Sequence, residues 1–175
     1  MKLNSAKLRK MESAPKSENV KKNEIYLILD NVLDTYNVGA VFRLADATAS
    51  KKIFLCGYTE TPPNTRIKKS AINTTALTDW KHFDNTTDAI LALKSEVSGL
   101  KVIAIEQTPN SIPYTDANYE FPIALIIGNE THGVSEEVLA LCDQIVELPM
   151  FGVNVSLNTM VSLAIVLYKA LEQKK

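Results

Sequence analysis

Five short apolar runs, each the length of a β-strand, constrain the fold of this 175-residue chain more than any other feature. Apart from Lys52, Lys101 and Glu147 they are apolar rather than alternating with polar residues, which is typical of strands buried on both faces of a sheet. Segments with helical spacing lie between them, and this alternation predicts an α/β fold with a mostly parallel sheet flanked by helices. The runs span residues 25–29, 52–56, 101–105, 123–127 and 145–148, and a shorter strand is expected near 80–83.

Four helices are expected between and after these strands. They are a helix over 38–48 with Asn37 as N-cap, a helix over about 87–97, a helix over 136–142 capped by Ser135, and a last helix over 157–173 that begins at Ser156 or Leu157. Residues 68–73 are a polar stretch to which we assign no regular structure. Parallel sheets bind ligands beyond the carboxyl ends of their strands. The chemistry is therefore expected in the loops after Leu29, Ile105, Ile127 and Leu148.

Charge separates a basic tail from the rest of the chain. Residues 1–23 carry seven Lys or Arg and two Glu, a net charge of +5, whereas the whole chain has a net charge of −1. We therefore divide the chain into a basic N-terminal tail, 1–23, and a folded domain, 24–175. The tail either binds phosphate groups or is merely solvated, and composition favours neither interpretation.

Composition also bears on location and on metals. No apolar run approaches the ~18–20 residues of a membrane-spanning helix, and the charged N-terminus has no apolar signal core. We therefore expect a cytoplasmic protein without membrane contact. Cys56 and Cys142 follow no metal-ligand spacing. They are expected to be free thiols in a reducing compartment, and no metal site is expected.

The first segment with chemical content runs from residue 37 to 46. Gly39 and Ala40 allow a close backbone approach near the start of the helix. Arg43 lies two turns in among apolar residues. A charged side chain there needs a partner, an exit to solvent or a functional role. Spacing alone leaves open that Arg43 is structural, for example paired with Asp46.

The second segment runs from residue 126 to 135. A buried strand opens into Gly128, Asn129 and Glu130, and Gly133 precedes the next helix. The pattern is neither a dinucleotide fingerprint nor a phosphate-binding Lys loop. His132 could act as a general base, but a loop histidine is more often simply exposed. The segment is better explained as a loop whose backbone approaches a ligand.

The third segment runs from residue 147 to 158. Pro149 breaks the strand, and a loop containing Gly152 leads into the last helix. The first turn of a helix offers free backbone N–H groups, and Ser156 and Asn158 add polar groups there. Taken alone, Ser156 could be no more than an N-cap.

Together, in order and wording, these segments resemble the three motifs of the SpoU/TrmH-type RNA 2′-O-ribose methyltransferases of the SPOUT class. The resemblance spans about residues 24–172. It implies a trefoil knot near the C-terminus, S-adenosyl-L-methionine as cofactor, and a homodimer whose two subunits complete the active site. An α/β hydrolase or phosphatase would need a nucleophile elbow or phosphate loop that this chain does not contain.

The resemblance also implies a role for each matched residue. The cofactor would be held by the residues at the strand ends and in the third segment: Ile105, Gly128, Leu148, Met150, Ser156 and Leu157. The reacting ribose would lie beside Glu130, Ser156 and Asn158, and Asn37 and Arg43 would approach it, Arg43 across the dimer. Arg43 is either the general base or an electrostatic stabiliser. An arginine stays protonated in proteins, which favours the second role.

The expected substrate is tRNA or rRNA, and tRNA is favoured because the only segment before the domain is a short basic tail. The RNA surface would include Lys51, Lys52, Arg66, Lys68 and Lys69. The alternative to an enzyme is a catalytically inactive module that binds RNA or cofactor. The intact set of polar motif residues argues against this alternative. Neither the RNA nor the methylated nucleotide follows from the sequence.

Overall fold

The computed structural model describes residues 6, 7 and 20–174, so the predicted basic tail lies almost wholly outside the described residues. Seven strands form one sheet in the order β3-β2-β1-β6-β4-β7-β5, and every neighbouring pair is parallel. The predicted parallel sheet is confirmed. The strands are β1 (Asn23–Asp30), β2 (Ser50–Cys56), β3 (Asp79–Phe83), β4 (Lys101–Ile105), β5 (Ile112–Pro113), β6 (Ile123–Ile127) and β7 (Gln144–Glu147).

Helices cover both faces of this sheet, as the alternating pattern predicts. They are α1 (Thr35–Ala47), α2 (Thr65–Ala71), α3 (Thr86–Glu96), α4 (Glu136–Leu139) and α5 (Thr159–Glu172), with a 3₁₀ turn at Thr74–Ala76. Alternate side chains of β1 enter different cores. Ile25, Leu27 and Leu29 pack with α1, α2 and α5. Tyr26 and Ile28 pack with α3 and α4. Burial on both faces explains why the central strands, such as β6, are apolar.

Two helices of the site begin at other residues than predicted. Helix α1 begins at Thr35, and its N-cap is Asp34, whose carboxylate accepts a hydrogen bond from the Tyr36 N–H. Asn37 therefore lies in the first turn rather than at the cap. Helix α5 begins at Thr159, and its N-cap is Asn158 instead of Ser156 or Leu157. In both cases an Asx oxygen satisfies N–H groups that the helix itself leaves free.

Helix α2 differs from the prediction, which assigns no regular structure to residues 68–73. Asn64 caps it by accepting hydrogen bonds from the N–H groups of Arg66 and Ile67. Only Ile67 and Ala71 are buried, so the helix lacks a wide apolar stripe and its periodicity is weak. Helix α4 is also shorter than predicted, because it ends at Leu139 rather than at residue 142.

Candidate active site

The carboxyl ends of four adjacent strands bring the three sequence segments together. Strands β1, β6, β4 and β7 are neighbours in the sheet. The segment with Glu130 follows β6, the segment that leads to Asn158 follows β7, and α1 follows β1. The predicted location of the chemistry, beyond these strand ends, is therefore where the polar motif residues gather.

The carboxylate of Glu130 anchors the start of α1. Its Oε2 accepts a hydrogen bond from the Leu33 N–H (3.0 Å). Its Oε1 accepts from the Asp34 N–H (3.0 Å) and from the Asn37 side-chain amide (3.0 Å). A carboxylate at a helix N-terminus is also stabilised by the helix dipole. Glu130 thus fixes the N-terminal turn of α1 against the loop after β6.

Hydrogen bonding also determines the ionisation of Glu130. Burial alone would raise the pKa of Glu130, but the hydrogen bonds donated by Leu33, Asn37 and Asp34 favour the charged form. The net effect is a pKa below the ordinary value for a glutamate. Glu130 is therefore an anionic hydrogen-bond acceptor at neutral pH, and it is already occupied by protein donors.

Asn37 connects this anchor to the last helix. Its Oδ1 accepts a hydrogen bond from the Asn158 side-chain amide (3.1 Å). The Oδ1 of Asn158 in turn accepts from the N–H groups of Met160 (3.0 Å) and Val161 (3.3 Å). Asn158 therefore caps α5 and reaches α1 at the same time. Three of the predicted site residues, Glu130, Asn37 and Asn158, form one continuous network.

Gly128 is placed where any side chain would collide with the protein backbone. A Cβ at this position would lie 2.1 Å from the Gly133 carbonyl carbon and 2.2 Å from the Val134 nitrogen. The peptide between these two residues is held by Glu106, whose carboxylate accepts a hydrogen bond from the Val134 N–H (2.8 Å). Gly133 has a φ of +69°, which favours glycine. The loop is thus a tightly packed backbone cradle at the ends of β6 and β4.

The third segment supplies apolar surface with few internal contacts. Leu148 is half-buried and packs against the core, and Ile105 is 8% exposed at the end of β4. Met150 is half-buried. Residues 151–158 are exposed, and they include the apolar side chains of Phe151, Val153, Val155 and Leu157. Up to residue 157, the segment lies beside the network without being held by it.

Ser156 does not join the network. It is exposed, and its backbone N–H donates to Asn154 Oδ1 (3.2 Å). Its side chain forms no hydrogen bond with the residues that the structure describes. The interpretation of Ser156 as a helix N-cap is wrong, because Asn158 fills that position.

Arg43 is also separate from the network. Its side chain is exposed, and it forms no hydrogen bond or ion pair with any part of the chain that the structure describes. The suggested pairing with Asp46 is not made. Arg43 lies on the solvent-facing stripe of α1 with Tyr36 and Ala40, at spacings of four and three residues. This cation therefore points outward, and residues 6, 7 and 20–174 offer it no partner.

Sequence reasoning missed several polar residues of this region. Asp34 was detectable, because a helix is often capped by an Asp before its first turn. Glu106 was also detectable, because it directly follows a buried strand. Asp30 is 2% exposed, and its carboxylate accepts hydrogen bonds from Thr86 Oγ1 (2.6 Å) and from the Ser135 N–H (2.9 Å). Ser135 Oγ donates to the same carboxylate, so Ser135 anchors α4 to β1 instead of capping α4 through its side chain.

Other reactive residue types are not arranged for catalysis. His132 is exposed and its backbone N–H donates to Asn129, while His82 lies against the Gly57 carbonyl on β3. Burial raises the pKa of both free thiols, Cys56 and Cys142, to about 12. Among residues 6, 7 and 20–174, no group of three His, Cys, Asp or Glu side chains is placed to hold a metal ion.

Comparison with known proteins agrees with this arrangement. Residues 24–168 match the model of the SpoU rRNA Methylase family. The match covers most of the chain, and the chain belongs to this family. The predicted resemblance is therefore confirmed.

Individual relatives share less than a third of their residues with this chain. The chain is 28% identical over 155 residues to the tRNA (guanosine(18)-2′-O)-methyltransferase of Escherichia coli strain K12, a match that covers 87% of this chain and 65% of that protein. It is 28% identical over 162 residues to the enzyme of the same name from Aquifex aeolicus, covering 89% and 72%. A 23S rRNA (guanosine-2′-O-)-methyltransferase from Ralstonia nicotianae is 29% identical, covering 86% and 59%.

Solved structures share the fold. An AdoMet-bound rRNA methyltransferase from Sinorhizobium meliloti superposes with a TM-score of 0.78 at 26% identity, covering 94% of this chain and 59% of that one. The tRNA modifying enzyme TrmH/SpoU from A. aeolicus gives the same TM-score at 24% identity, covering 97% and 81%. The chain spans about 65% of the length of the E. coli relative.

Proposed function

We propose that the protein is an S-adenosyl-L-methionine-dependent RNA methyltransferase that modifies a ribose 2′-hydroxyl. The observation that carries this proposal is the Glu130–Asn37–Asn158 network, which joins one residue from each of the three motif segments into a single polar surface. Relatives named as tRNA and rRNA 2′-O-methyltransferases support the same reaction.

The residues next to this network suit the proposed cofactor. Adenosine needs apolar surface for its ring and backbone groups for its polar edge, and most small-molecule sites combine these two elements. Ile105, Leu148, Met150 and Leu157 offer the apolar surface. The backbone at Gly128 is fixed by its packing against Gly133 and Val134, and its polar groups would face the polar edge of the adenosine. Ser156, in the exposed segment, would contact the same molecule. When bound, S-adenosylmethionine supplies a sulfonium methyl group, whose transfer to the 2′-oxygen leaves a neutral thioether and releases the hydroxyl proton.

The chain's own residues would position the ribose and stabilise charge. Asn37 and Asn158 are held rigidly by their mutual hydrogen bond and by Glu130, so their remaining polar groups are oriented before the RNA binds. Arg43 would stabilise the oxyanion that develops at the 2′-oxygen, because a guanidinium is a cation with several donors. This role requires no deprotonation of Arg43.

We also propose a homodimer. Apolar side chains are exposed around the site and along the outer face of α5, at Leu33, Tyr36, Val161, Ile165 and Tyr168. The three on α5 follow a spacing of four and three residues, so they form one stripe. A second copy on this surface would cover the stripe and would bring Arg43 near the partner's site. Sedimentation should show a dimer, and Ile165→Asp should give a monomer with much lower activity.

The trefoil knot and the cellular location belong to the same proposal. The loop of residues 106–122 is hydrogen-bonded to the end of α5, because the Gln173 side chain accepts from the Tyr119 N–H (3.1 Å) and donates to the Ala117 carbonyl (3.2 Å). A trefoil knot would require the C-terminal segment to pass through an earlier loop, and these two bonds place the chain end against one. Two free thiols fit a reducing cytoplasm. No helix within the described residues is long and apolar enough to cross a membrane.

The substrate is proposed to be tRNA or rRNA, with tRNA preferred. Two of the relatives compared above are named for a guanosine of tRNA and one for 23S rRNA. A solved structure titled for 2-OH methylation of C/U34 on tRNA matches 85% of this chain and 95% of that one, with a TM-score of 0.75 at 25% identity. Mapping of 2′-O-methyl nucleosides in RNA from cells with and without the gene would identify the site.

The test of the function is methyl transfer from labelled S-adenosylmethionine to bulk RNA. Arg43→Ala should lower kcat at least about 100-fold, the range measured when one charge-stabilising donor is removed. Cofactor affinity, measured by calorimetry, should be unchanged. As a control, Lys101→Ala removes a cation at the amino end of β4, away from the site. It should leave kcat and cofactor affinity unchanged.

Three results would contradict parts of this proposal. Normal turnover by Arg43→Ala would remove Arg43 from the reaction. Cofactor binding by the wild-type chain without transfer to any RNA would favour an inactive binding module. Absence of cofactor binding would remove the cofactor site itself.

A further inference from the structure

Helix α2 presents three cationic side chains to solvent. Arg66, Lys68 and Lys69 are all exposed. None of these side chains forms a hydrogen bond or ion pair with any residue that the structure describes. Residues 57–78 contain a single carboxylate, Glu60. Within residues 6, 7 and 20–174, the helix therefore carries positive charge that no hydrogen bond or ion pair neutralises.

This helix is fixed directly to the first two turns of α1. The Ser70 hydroxyl lies 3.3 Å from the Thr35 carbonyl oxygen. Its single proton is shared with the Arg66 and Ile67 carbonyls of α2. The two helices approach so closely at Gly39 that a Cβ there would lie 1.9 Å from Ser70 Oγ and 2.7 Å from the Ile67 carbonyl. Thr35 lies between Asp34 and Asn37, both of which donate to Glu130. Helix α2, which carries these cations, is thus packed next to the candidate site.

Other lysines on the chain are placed differently. Three of them, Lys51, Lys52 and Lys101, lie at the amino ends of β2 and β4. The candidate site lies at the opposite, carboxyl ends of the parallel strands. Lys51 is paired with Glu24 (2.8 Å), and the Lys52 ammonium lies over the Phe54 ring (5.4 Å). Two of these three cations already interact within the chain. All three lie at the other end of the strands from the carboxyl ends, where the candidate site is.

We propose that α2 binds the phosphate backbone of the RNA on one side of the methylated nucleotide. This inference rests on the proposed function and sharpens it. It divides the cations expected from the sequence to contact RNA: Arg66, Lys68 and Lys69 bind, whereas Lys51 and Lys52 do not. Phosphate contacts position an RNA without reading its sequence. The helix therefore contributes affinity and register, and the nucleotide is selected elsewhere.

The experiment compares two triple variants of the full chain. One is Arg66→Gln, Lys68→Gln and Lys69→Gln. The matched control is Lys51→Gln, Lys52→Gln and Lys101→Gln, which removes the same charge from the amino ends of β2 and β4. Binding of unfractionated tRNA is measured between 50 and 200 mM salt (about the range in which phosphate contacts dominate). Calorimetry with S-adenosylmethionine verifies that each variant is folded.

The α2 variant should bind tRNA at least about tenfold more weakly at low salt. Its slope of log affinity against log salt should be shallower by about two to three. The KM for RNA should rise while kcat at saturating RNA stays within about twofold. The control variant should retain the wild-type slope and KM.

Two outcomes overturn the inference while leaving the proposed function intact. One is an unchanged slope and KM in the α2 variant. The other is an equal loss in both variants, which would indicate a general charge effect. If the wild-type chain binds cofactor but neither binds nor methylates any RNA, the RNA function fails, and this inference fails with it.

Discussion

The two halves of the candidate site differ in how much of their structure is held by internal contacts. Glu130, Asn37 and Asn158 are connected by hydrogen bonds of 3.0–3.1 Å and fix α1, α5 and the loop after β6 to one another. Residues 151–157, on the other side, are exposed, and Phe151 is 94% exposed. Both halves come from the same three motifs.

The difference indicates which part of the site is formed before ligands bind. A residue held by several hydrogen bonds loses little further freedom when a substrate binds, so the network is preorganised for the ribose. An exposed apolar segment has no such constraint and gains contacts only from a bound molecule or a second subunit. We therefore expect the ribose side to be rigid in the free chain, and the cofactor side to be completed by binding.

A pair of glycine substitutions should show the largest difference in stability between the two halves of the site. Gly128→Ala places a methyl group 2.1 Å from backbone atoms that cannot move independently, so unfolding should require about 2–3 kcal/mol less. Cofactor affinity should fall at least about tenfold, because a distortion that costs about 1.4 kcal/mol of binding free energy lowers affinity by a factor of ten. Denaturant unfolding and calorimetry measure these effects.

Gly152→Ala is the matched control in the exposed segment. A Cβ at Gly152 has no neighbour within 4 Å, and its stability should change by less than about 0.5 kcal/mol. Equal destabilisation by both substitutions would show that residues 151–158 are as tightly packed as Gly128, and the comparison would fail.

Asn158 tests whether the network contributes more than a helix cap. Asn158→Ala removes the cap of α5 and the bond to Asn37, whereas Asn85→Ala removes the cap of α3 on the opposite face, where Asn85 accepts from the Asp88 N–H. Each should lower stability by about 1 kcal/mol. Only Asn158→Ala should also reduce methyl transfer, by at least about tenfold. Equal methyl transfer by the two variants would show that Asn158 acts only as the N-cap of α5 and has no role in the reaction.

The sheet could be predicted from sequence, and the exact starts of its helices could not. Apolar runs such as 123–127 are buried on both faces, so composition alone reveals them. The start of α1 depends on which of several polar residues near Asn37 places its oxygen over free N–H groups, and Asp34 does so. Helix α2 depends on tertiary packing against Gly39, and no local pattern reports that contact.

Of the site, the residue types and strand ends could be predicted, but not their connections. Glu130 and Asn37 are 93 positions apart, so their hydrogen bond follows from the order of β1 and β6 in the sheet rather than from spacing. Arg43 illustrates the opposite case. Its sequence context demands a partner, and the described residues of a single chain contain none.

The smallest expected effect concerns the pH dependence of the hydrogen-bonded half of the site. The pKa of folded Glu130 lies below that of the unfolded chain, because hydrogen bonds from Leu33, Asn37 and Asp34 outweigh burial. Its contribution to stability is therefore complete above the unfolded pKa of about 4.3–4.5 and is lost as pH falls through the lower folded pKa. Because Glu130 is exposed, solvent screens this contribution to about 1 kcal/mol or less.

Glu130→Gln should thus be less stable than wild type near pH 7 and nearly equal to it near pH 3, measured by urea unfolding. Glu96→Gln, at an exposed position without a hydrogen bond to the described residues, should track wild type at both pH values. A gap between wild type and Glu130→Gln that stays constant with pH would mean that the network does not depend on the charge of Glu130, and that the amide holds α1 equally well.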